Sequence, residues 1–201
     1  QVQIHPKAGM TFVAGLRAVL RQDVTGILLG EIRDEETAAM AVRIALTGHL
    51  LMTTIHTEDA VAALYRMLEM GVAPYLLAAT LSGIISQRLV RRLCPDCREM
   101  YRAAGDSEEA AFFGAGGEGL LLYRSRGCDA CHGTGYRGRT VLAEILVPGE
   151  AVREGILQKV PRREMAARAR ASGMRSLLED GRAKAEAGIT SWQEVRRVLY
   201  G

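Results

Sequence analysis

At 201 residues, 48% hydrophobic and 24% charged, the chain has the length and composition of a folded protein with one substantial core or two small ones. Twenty-six Lys and Arg against 23 Asp and Glu leave a net charge of +3, too small a basic excess for a dedicated nucleic-acid binder. Three Phe and one Trp among many Ala, Leu and Val suit helices packed on a sheet, an α/β chain, better than an all-β sandwich.

Gln1 to Lys7 has no initiator Met, no basic-then-apolar leader and no small-residue cleavage site, so the chain is expected to be a piece of a longer protein. From Met10 to Gln22, Phe12, Leu16, Val19 and Leu20 follow helical spacing while Arg17 and Arg21 share the opposite face. Gly26 to Ile32 is a short apolar run bounded by charge, as in a buried parallel strand, and Glu31 stands near its C-terminal end. A carboxylate there faces the usual ligand crevice of an open α/β sheet. Asp34 caps a helix with Glu35 and Glu36 in its first turn and Ala38, Ala41, Val42, Ala45 and Leu46 on its buried face, ending at Gly48. A second strand is expected over His49 to Ile55. His56-Thr57-Glu58-Asp59 then leads into a helix with Ala60, Ala63, Leu64, Met67 and Leu68 inward and Gly71 beyond its end. Val72 to Ile85 is apolar but carries Pro74, Thr80, Ser82 and Gly83, and it falls short of the roughly 20 residues of a membrane span. It is read as a buried helix. Helices and strands in this order imply a parallel sheet with right-handed crossovers.

After Cys97 the pattern changes. Ala103 to Gly119 is rich in Gly, Ala and acid with little periodicity, and is expected to be loop-rich. From Pro161 the helical pattern returns, with Met165, Ala166 and Ala169 on one face, a break at Gly173, a helix through Leu177 and Leu178, and a last one from Ser191 to Tyr200. Its charges alternate in sign without an aromatic series, which describes a solvated surface and not a nucleic-acid face. Three segments are expected: residues 1–92, 93–140 and 141–201.

Cys94-Pro95-Asp96-Cys97 and Cys128-Asp129-Ala130-Cys131 are two C-x-x-C knuckles that use all four cysteines of the chain. Each presents two thiolates to one tetrahedral ion, and four thiolates leave no open position, so the expected zinc is structural. The long gap between knuckles is tolerable because loop-closure entropy grows only logarithmically. Cys128-x-x-Cys131-His132 also matches a c-type haem attachment, but that strands the first pair and needs an oxidising compartment. The same segment resembles one zinc repeat of the Hsp40 co-chaperones, which use several such repeats. Two disulfides or a redox pair would leave the duplicate knuckles without a reason.

Ile27-Leu28-Leu29-Gly30-Glu31 delivers a carboxylate as nucleotide hydrolases do when they orient a metal-bound triphosphate or polarise water. Alone the segment is weak, since any buried strand can end in Glu. It is followed by Ile32-Arg33-Asp34-Glu35-Glu36-Thr37-Ala38 and by Thr47-Gly48-His49-Leu50-Leu51-Met52-Thr53-Thr54-Ile55-His56-Thr57. Together these segments resemble the Walker B segment and histidine box of the secretion ATPase superfamily, the hexameric motors of type II secretion and type IV pilus assembly. The likeness spans nearly the whole chain, through Leu16 to Asp23, Leu64-Tyr65-Arg66-Met67, Gln87 to Cys94, Gly138-Arg139-Thr140 and Gly188-Ile189-Thr190.

The resemblance implies part of a RecA-like P-loop core with a tetracysteine zinc subdomain and a C-terminal helical module. It implies Glu31 as the Walker B carboxylate, His56 near the γ-phosphate, and His49, Arg17, Arg21, Arg66 and Arg139 around nucleotide or at subunit contacts. ATP, Mg²⁺ and Zn²⁺ are the implied ligands, a hexamer and inner-membrane platform proteins the implied partners, and the cytoplasmic face of the inner membrane the implied location. Use of the tetracysteine motif points to the secretion and pilus-extension branches. Read without the likeness, Arg17 and Arg21 are ordinary solvated residues and His49 a core histidine. No G-x-x-x-x-G-K-[ST] occurs in the chain, the family's acidic box is absent, and Asp23-Val24-Thr25-Gly26 replaces its usual Asp-Pro-Asp. These residues alone are expected to be inactive. The rival reading is a non-catalytic, zinc-stabilised interaction module.

Overall fold

The computed structural model describes residues 1–114 and 119–201. In chain order the elements are α1 (Phe12–Val19), β1 (Gly26–Leu29), α2 (Glu35–Leu46), β2 (Leu50–Thr53), α3 (Ala60–Glu69), α4 (Pro74–Thr80), β3 (Ile84–Leu93), β4 (Arg98–Ala103), α5 (Glu108–Phe112), β5 (Leu120–Ser125), β6 (Tyr136–Leu146), α6 (Glu150–Gln158), α7 (Arg162–Ala171), α8 (Leu177–Glu186) and α9 (Trp192–Tyr200). The chain is α/β. It divides into two compact units, residues 1–84 with 146–173, and residues 85–145 with 174–201. Each unit is therefore built from two separate stretches, and the C-terminal helices are shared out, α6 and α7 to the first and α8 and α9 to the second.

In the first unit β1 and β2 are parallel with Gly26 opposite Leu50 and Leu29 opposite Thr53, joined through α2 as a crossover requires. The helices begin where short polar side chains satisfy free N–H groups. Asp34 Oδ1 accepts from Thr37 N at 2.8 Å and Asp59 Oδ1 from Ala62 N at 2.6 Å. Ile27, Leu29, Ala38, Ala41, Val42, Ile44, Ala60, Leu64, Leu77, Val152, Ile156 and Met165 are buried. α6 and α7 approach closely at Gly155, where a Cβ would lie 2.9 Å from Met165 Cε. The sheet differs from its sequence reading: Leu28, Leu50 and Met52 are 76%, 57% and 52% exposed, so only one of its faces is covered. On α2 Ile44 joins Ala38, Ala41 and Val42 on the buried face, and Leu46 points outward at 50% exposure, because the last turn of the helix overshoots the packed stripe.

The second unit pairs β3 with β6 and, antiparallel, β4 with β5, Arg98 opposite Ser125 and Ala103 opposite Leu120. Val90, Ala103, Phe113, Leu120, Leu122, Leu142, Leu177, Ala185, Trp192 and Val195 form its core. α8 and α9 meet at Gly181, whose Cβ would stand 2.6 Å from Val195 Cγ1. Two expectations are corrected here. The buried helix over Val72 to Ile85 is a seven-residue α4 that ends at Thr80, with β3 beginning at Ile84. The loop-rich stretch between the cysteine pairs contains β4, α5 and β5, its residues 115–118 lying outside the described ones. Among the described residues no helix is long and apolar enough to cross a membrane.

Candidate nucleotide and metal sites

Beyond the last paired residues of β1 and β2 the two chains stay side by side: Ile32 N donates to Thr54 O at 3.1 Å and Thr54 Oγ1 to Gly30 O at 2.7 Å. This lacing brings Glu31 and His56 together at the C-terminal ends of parallel strands, before the capped starts of α2 and α3. Glu31 Oε1 accepts from the Arg33 guanidinium. Its Oε2 is buried without a hydrogen-bond partner among the described residues and lies 3.4 Å from His56 Nε2. The Arg33 hydrogen bond holds the Glu31 carboxyl below its ordinary value, outweighing the opposing effect of desolvation, and the positive ends of Arg33 and His56 add to it. Glu31 is thus an anion whose Oε1 is tied to Arg33 and whose Oε2 has only the longer approach of His56, leaving it able to hold a metal-bound or attacking water. Its side chain is 22% exposed while that of His56 is 89% exposed, so the pair opens to solvent on the histidine side.

The remaining sequence candidates are spread more widely. His49 precedes β2, its Nδ1 2.9 Å from Thr47 Oγ1. A four-residue strand, about 13 Å long, separates it from the Glu31 end of the sheet. Arg17 lies on α1 and Arg21 just beyond it, both exposed. Arg66 on α3 pairs with Glu69 at 3.5 Å. Arg139 belongs to the second unit, exposed on β6 in a shallow cleft of about 250 Å³ with Arg91, Thr134, Tyr136 and Gly138. Arg33 was missed as a site residue. The signal was available, since residues two apart in an extended segment point to the same side.

The four cysteines converge in the second unit. Cys94 follows β3, Cys97 precedes β4, and Cys128 caps a single 3-10 turn before β6 whose last residue is Cys131. Their Sγ atoms all lie within 4.8 Å of one another, with Cys94 to Cys128 at 3.9 Å, Cys97 to Cys131 at 3.8 Å and Cys128 to Cys131 at 3.7 Å. Sulfurs on a tetrahedron around an ion at about 2.3 Å stand about 3.8 Å apart, whereas a disulfide needs about 2.05 Å. The donor set therefore fits one closed tetrathiolate zinc and none of the cysteines is bridged. Burial opposes ionisation of Cys131, but backbone N–H groups of Cys128 and Gly135, 3.2 and 3.1 Å from its sulfur, outweigh it and hold the thiol down to about 6. Cys131 is the exception in the cluster, since burial pushes the Cys128 thiol up to about 12 and the Cys97 thiol up as well.

Residues 1–197 match the family described as Type II/IV secretion system protein. The chain is 47% identical over 199 residues to the type II secretion system ATPase E of Vibrio cholerae, covering 98% of this chain and 39% of that protein. It is 46% identical over 202 residues to the type IV pilus assembly ATPase PilB of Thermus thermophilus, covering 97% of this chain and 22% of that one. The chain thus spans well under half the length of these relatives. Among solved structures it resembles the Legionella pneumophila ATPase DotB, with a TM-score of 0.63 at 24% identity over 93% of this chain and 42% of that one. It also resembles the pilus retraction motor PilT with bound ADP, with a TM-score of 0.52 at 24% identity over 85% of this chain and 42% of that one. At such identity the likeness concerns the fold.

Proposed function

From the premise that the chain belongs to the type II/IV secretion system protein family, we propose that it is the C-terminal part of an ATPase motor powering type II protein secretion or type IV pilus assembly. The observation that carries this reading is the ionised Glu31, whose buried Oε2 faces His56 Nε2 at 3.4 Å at the C-terminal ends of two parallel strands. When ATP and Mg²⁺ are bound they supply the phosphoryl group and its charge. Glu31 would hold and polarise a water at Oε2, Arg33 keeps the carboxylate charged and oriented, and His56 would serve near the γ-phosphate. Arg17, Arg21, Arg66 and Arg139, with His49, act around nucleotide or at subunit contacts, where guanidinium groups neutralise phosphate charge.

These residues hold no phosphate loop of their own, and the chain spans 39% of the length of the Vibrio relative. The first unit is read as part of a RecA-like core, with α6 and α7 from segment 141–201 packed into it, and the second as a subdomain fastened by one structural Zn²⁺ on Cys94, Cys97, Cys128 and Cys131, with α8 and α9 from the same segment. The motor works as a hexamer against inner-membrane platform proteins at the cytoplasmic face. A second reading, a zinc-stabilised interaction module without catalysis, draws on the self-contained core of the second unit. Steady-state ATP turnover by the complete, zinc-loaded protein separates the two. Mg²⁺-dependent hydrolysis that stops on chelation of Mg²⁺ supports the motor, and its absence favours the module.

A further inference from the structure

Residues 126–138 contain four glycines among thirteen, and only Cys131 and Gly135 in this stretch are buried. The stretch has no apolar anchor of its own. Ordering it is entropically expensive, glycines most of all, and nothing hydrophobic offsets that cost. Gly127 and Gly135 cannot be replaced freely, since both have positive φ (94° and 72°) and a Cβ would lie 2.6 Å from Gly133 O and 2.4 Å from Ser125 Cβ. The path is therefore specified tightly but held weakly.

Beyond the pairing of β6 with β3 and the turn hydrogen bonds of Thr134, what holds it is concentrated at two points. The first is the cysteine cluster, where Cys131 Sγ accepts from Gly135 N at 3.1 Å and Cys94 N donates to Gly135 O at 2.9 Å. Gly135 is thus tied on one side to a ligand sulfur and on the other to the backbone of a second ligand. The second point is Tyr136, whose hydroxyl is 2.7 Å from Ser191 Oγ and whose ring lies 4.2 Å under the Arg91 guanidinium. Arg91 is itself fixed by buried Glu194, which accepts from its main-chain N–H at 3.0 Å and its guanidinium at 2.7 Å. Arg139 comes three residues after Tyr136, and it lines the cleft with Arg91, Thr134, Tyr136 and Gly138.

We propose that the tetracysteine site, beyond fastening its own knuckles, positions the first residues of β6, so that metal occupancy sets the geometry of Arg139 in its cleft. Metal loss releases 126–140 and leaves the core of the second unit standing, because Val90, Leu142, Trp192 and Val195 pack without help from the cysteines. The inference rests on reading the four cysteines as a zinc site. In this account Gly135 is the link and Tyr136 the positioning residue, and neither touches the reacting atoms.

The test is hydrogen exchange read by mass spectrometry on the complete protein, zinc-loaded, stripped with a chelator, and refilled, with zinc counted in each sample. One zinc per chain is expected as purified. Stripping should speed exchange across 126–140 by about a hundredfold, while α8, α9 and the far end of β6 change by less than about threefold, and refilling should restore protection. A zinc count near one with exchange over 136–140 unmoved by stripping overturns the inference and leaves the zinc reading intact. Uniform loss of protection through α8 and α9 also overturns it, since the metal would then be holding the fold and not one strand. A zinc count near zero in native protein defeats the zinc reading itself, and this inference with it. Tyr136→Phe supplies a variant that keeps all four ligands: it should retain zinc and speed exchange over 136–140 severalfold, and unchanged exchange there would remove Tyr136 from the account.

Discussion

Glu194 offers a quantitative check on the second unit. Its side chain is fully buried, and it accepts from Arg91 N at 3.0 Å, from the Arg91 guanidinium at 2.7 Å, and from Arg197 Nε and the Arg197 terminal nitrogen at 2.9 and 2.7 Å. Burial alone would raise its pKa, but these donors outweigh burial and hold the carboxyl at about 2 against an ordinary 4.5. At 1.36 kcal/mol per pH unit that difference is worth about 3 kcal/mol. Arg91 and Arg197 are 47% and 58% exposed, so water screens the pair and about 2 kcal/mol is the working figure. A group whose folded pKa is depressed stabilises above the unfolded value and loses that contribution as pH falls through the folded one. The contribution is therefore complete above about pH 5, less than half remains at pH 3, and it is gone below about pH 2. Glu194→Gln keeps the shape and removes the charge. In urea unfolding followed by the fluorescence of Trp192, the single tryptophan and part of the same core, the variant should be less stable than the parent by about 2 kcal/mol at pH 7 and by less than about 1 kcal/mol at pH 3. A gap that does not change between those pH values would refute the ionic account of this cluster.

Further outcomes follow from the packing and the caps. Leu142→Ala empties a fully buried position beside Val90, Leu177 and Val195 and should cost about 3 kcal/mol in the same unfolding experiment. Asp34→Ala removes the acceptor for Thr37 N at 2.8 Å and should destabilise the start of α2 by about 1 kcal/mol, seen as faster amide exchange in its first turn. Arg33→Ala deprives Glu31 Oε1 of its donor. ATP turnover by the complete protein should then fall by more than about tenfold with nucleotide affinity little changed, as for a group that orients the carboxylate rather than binds substrate.

The parts of the fold that were legible carry local signals. Asp34 and Asp59 announce helix starts, Gly48 and Gly71 lie just past helix ends, and Gly26 to Leu29 is apolar and short. β3 was missed because Ile84-Ile85 and Leu89-Val90 place apolar side chains on both faces, blurring the two-residue period while the preceding Leu76, Leu77 and Leu81 suggest a helix that runs on. β4 and β5 were missed for a different reason. Glu99 opposite Arg124 and Met100 opposite Tyr123 are partners chosen across the intervening segment, and nothing within either strand reveals them. At the candidate sites Glu31, His56 and the cysteines could be named from type and spacing. The Arg91 and Glu194 contact, 103 residues apart in sequence, exists only because the second unit is closed from two separate stretches of chain.

The proposal that this chain carries the hydrolytic carboxylate of a motor ATPase is tested most directly by ATP hydrolysis and ATP binding measured side by side on the complete protein and its Glu31→Gln variant. Glutamine fills the same volume and can still accept from Arg33, but it cannot polarise water as an anion does. The account predicts that turnover falls by about a thousandfold or more while ATP is bound about as tightly as before. Undiminished hydrolysis by Glu31→Gln would contradict it.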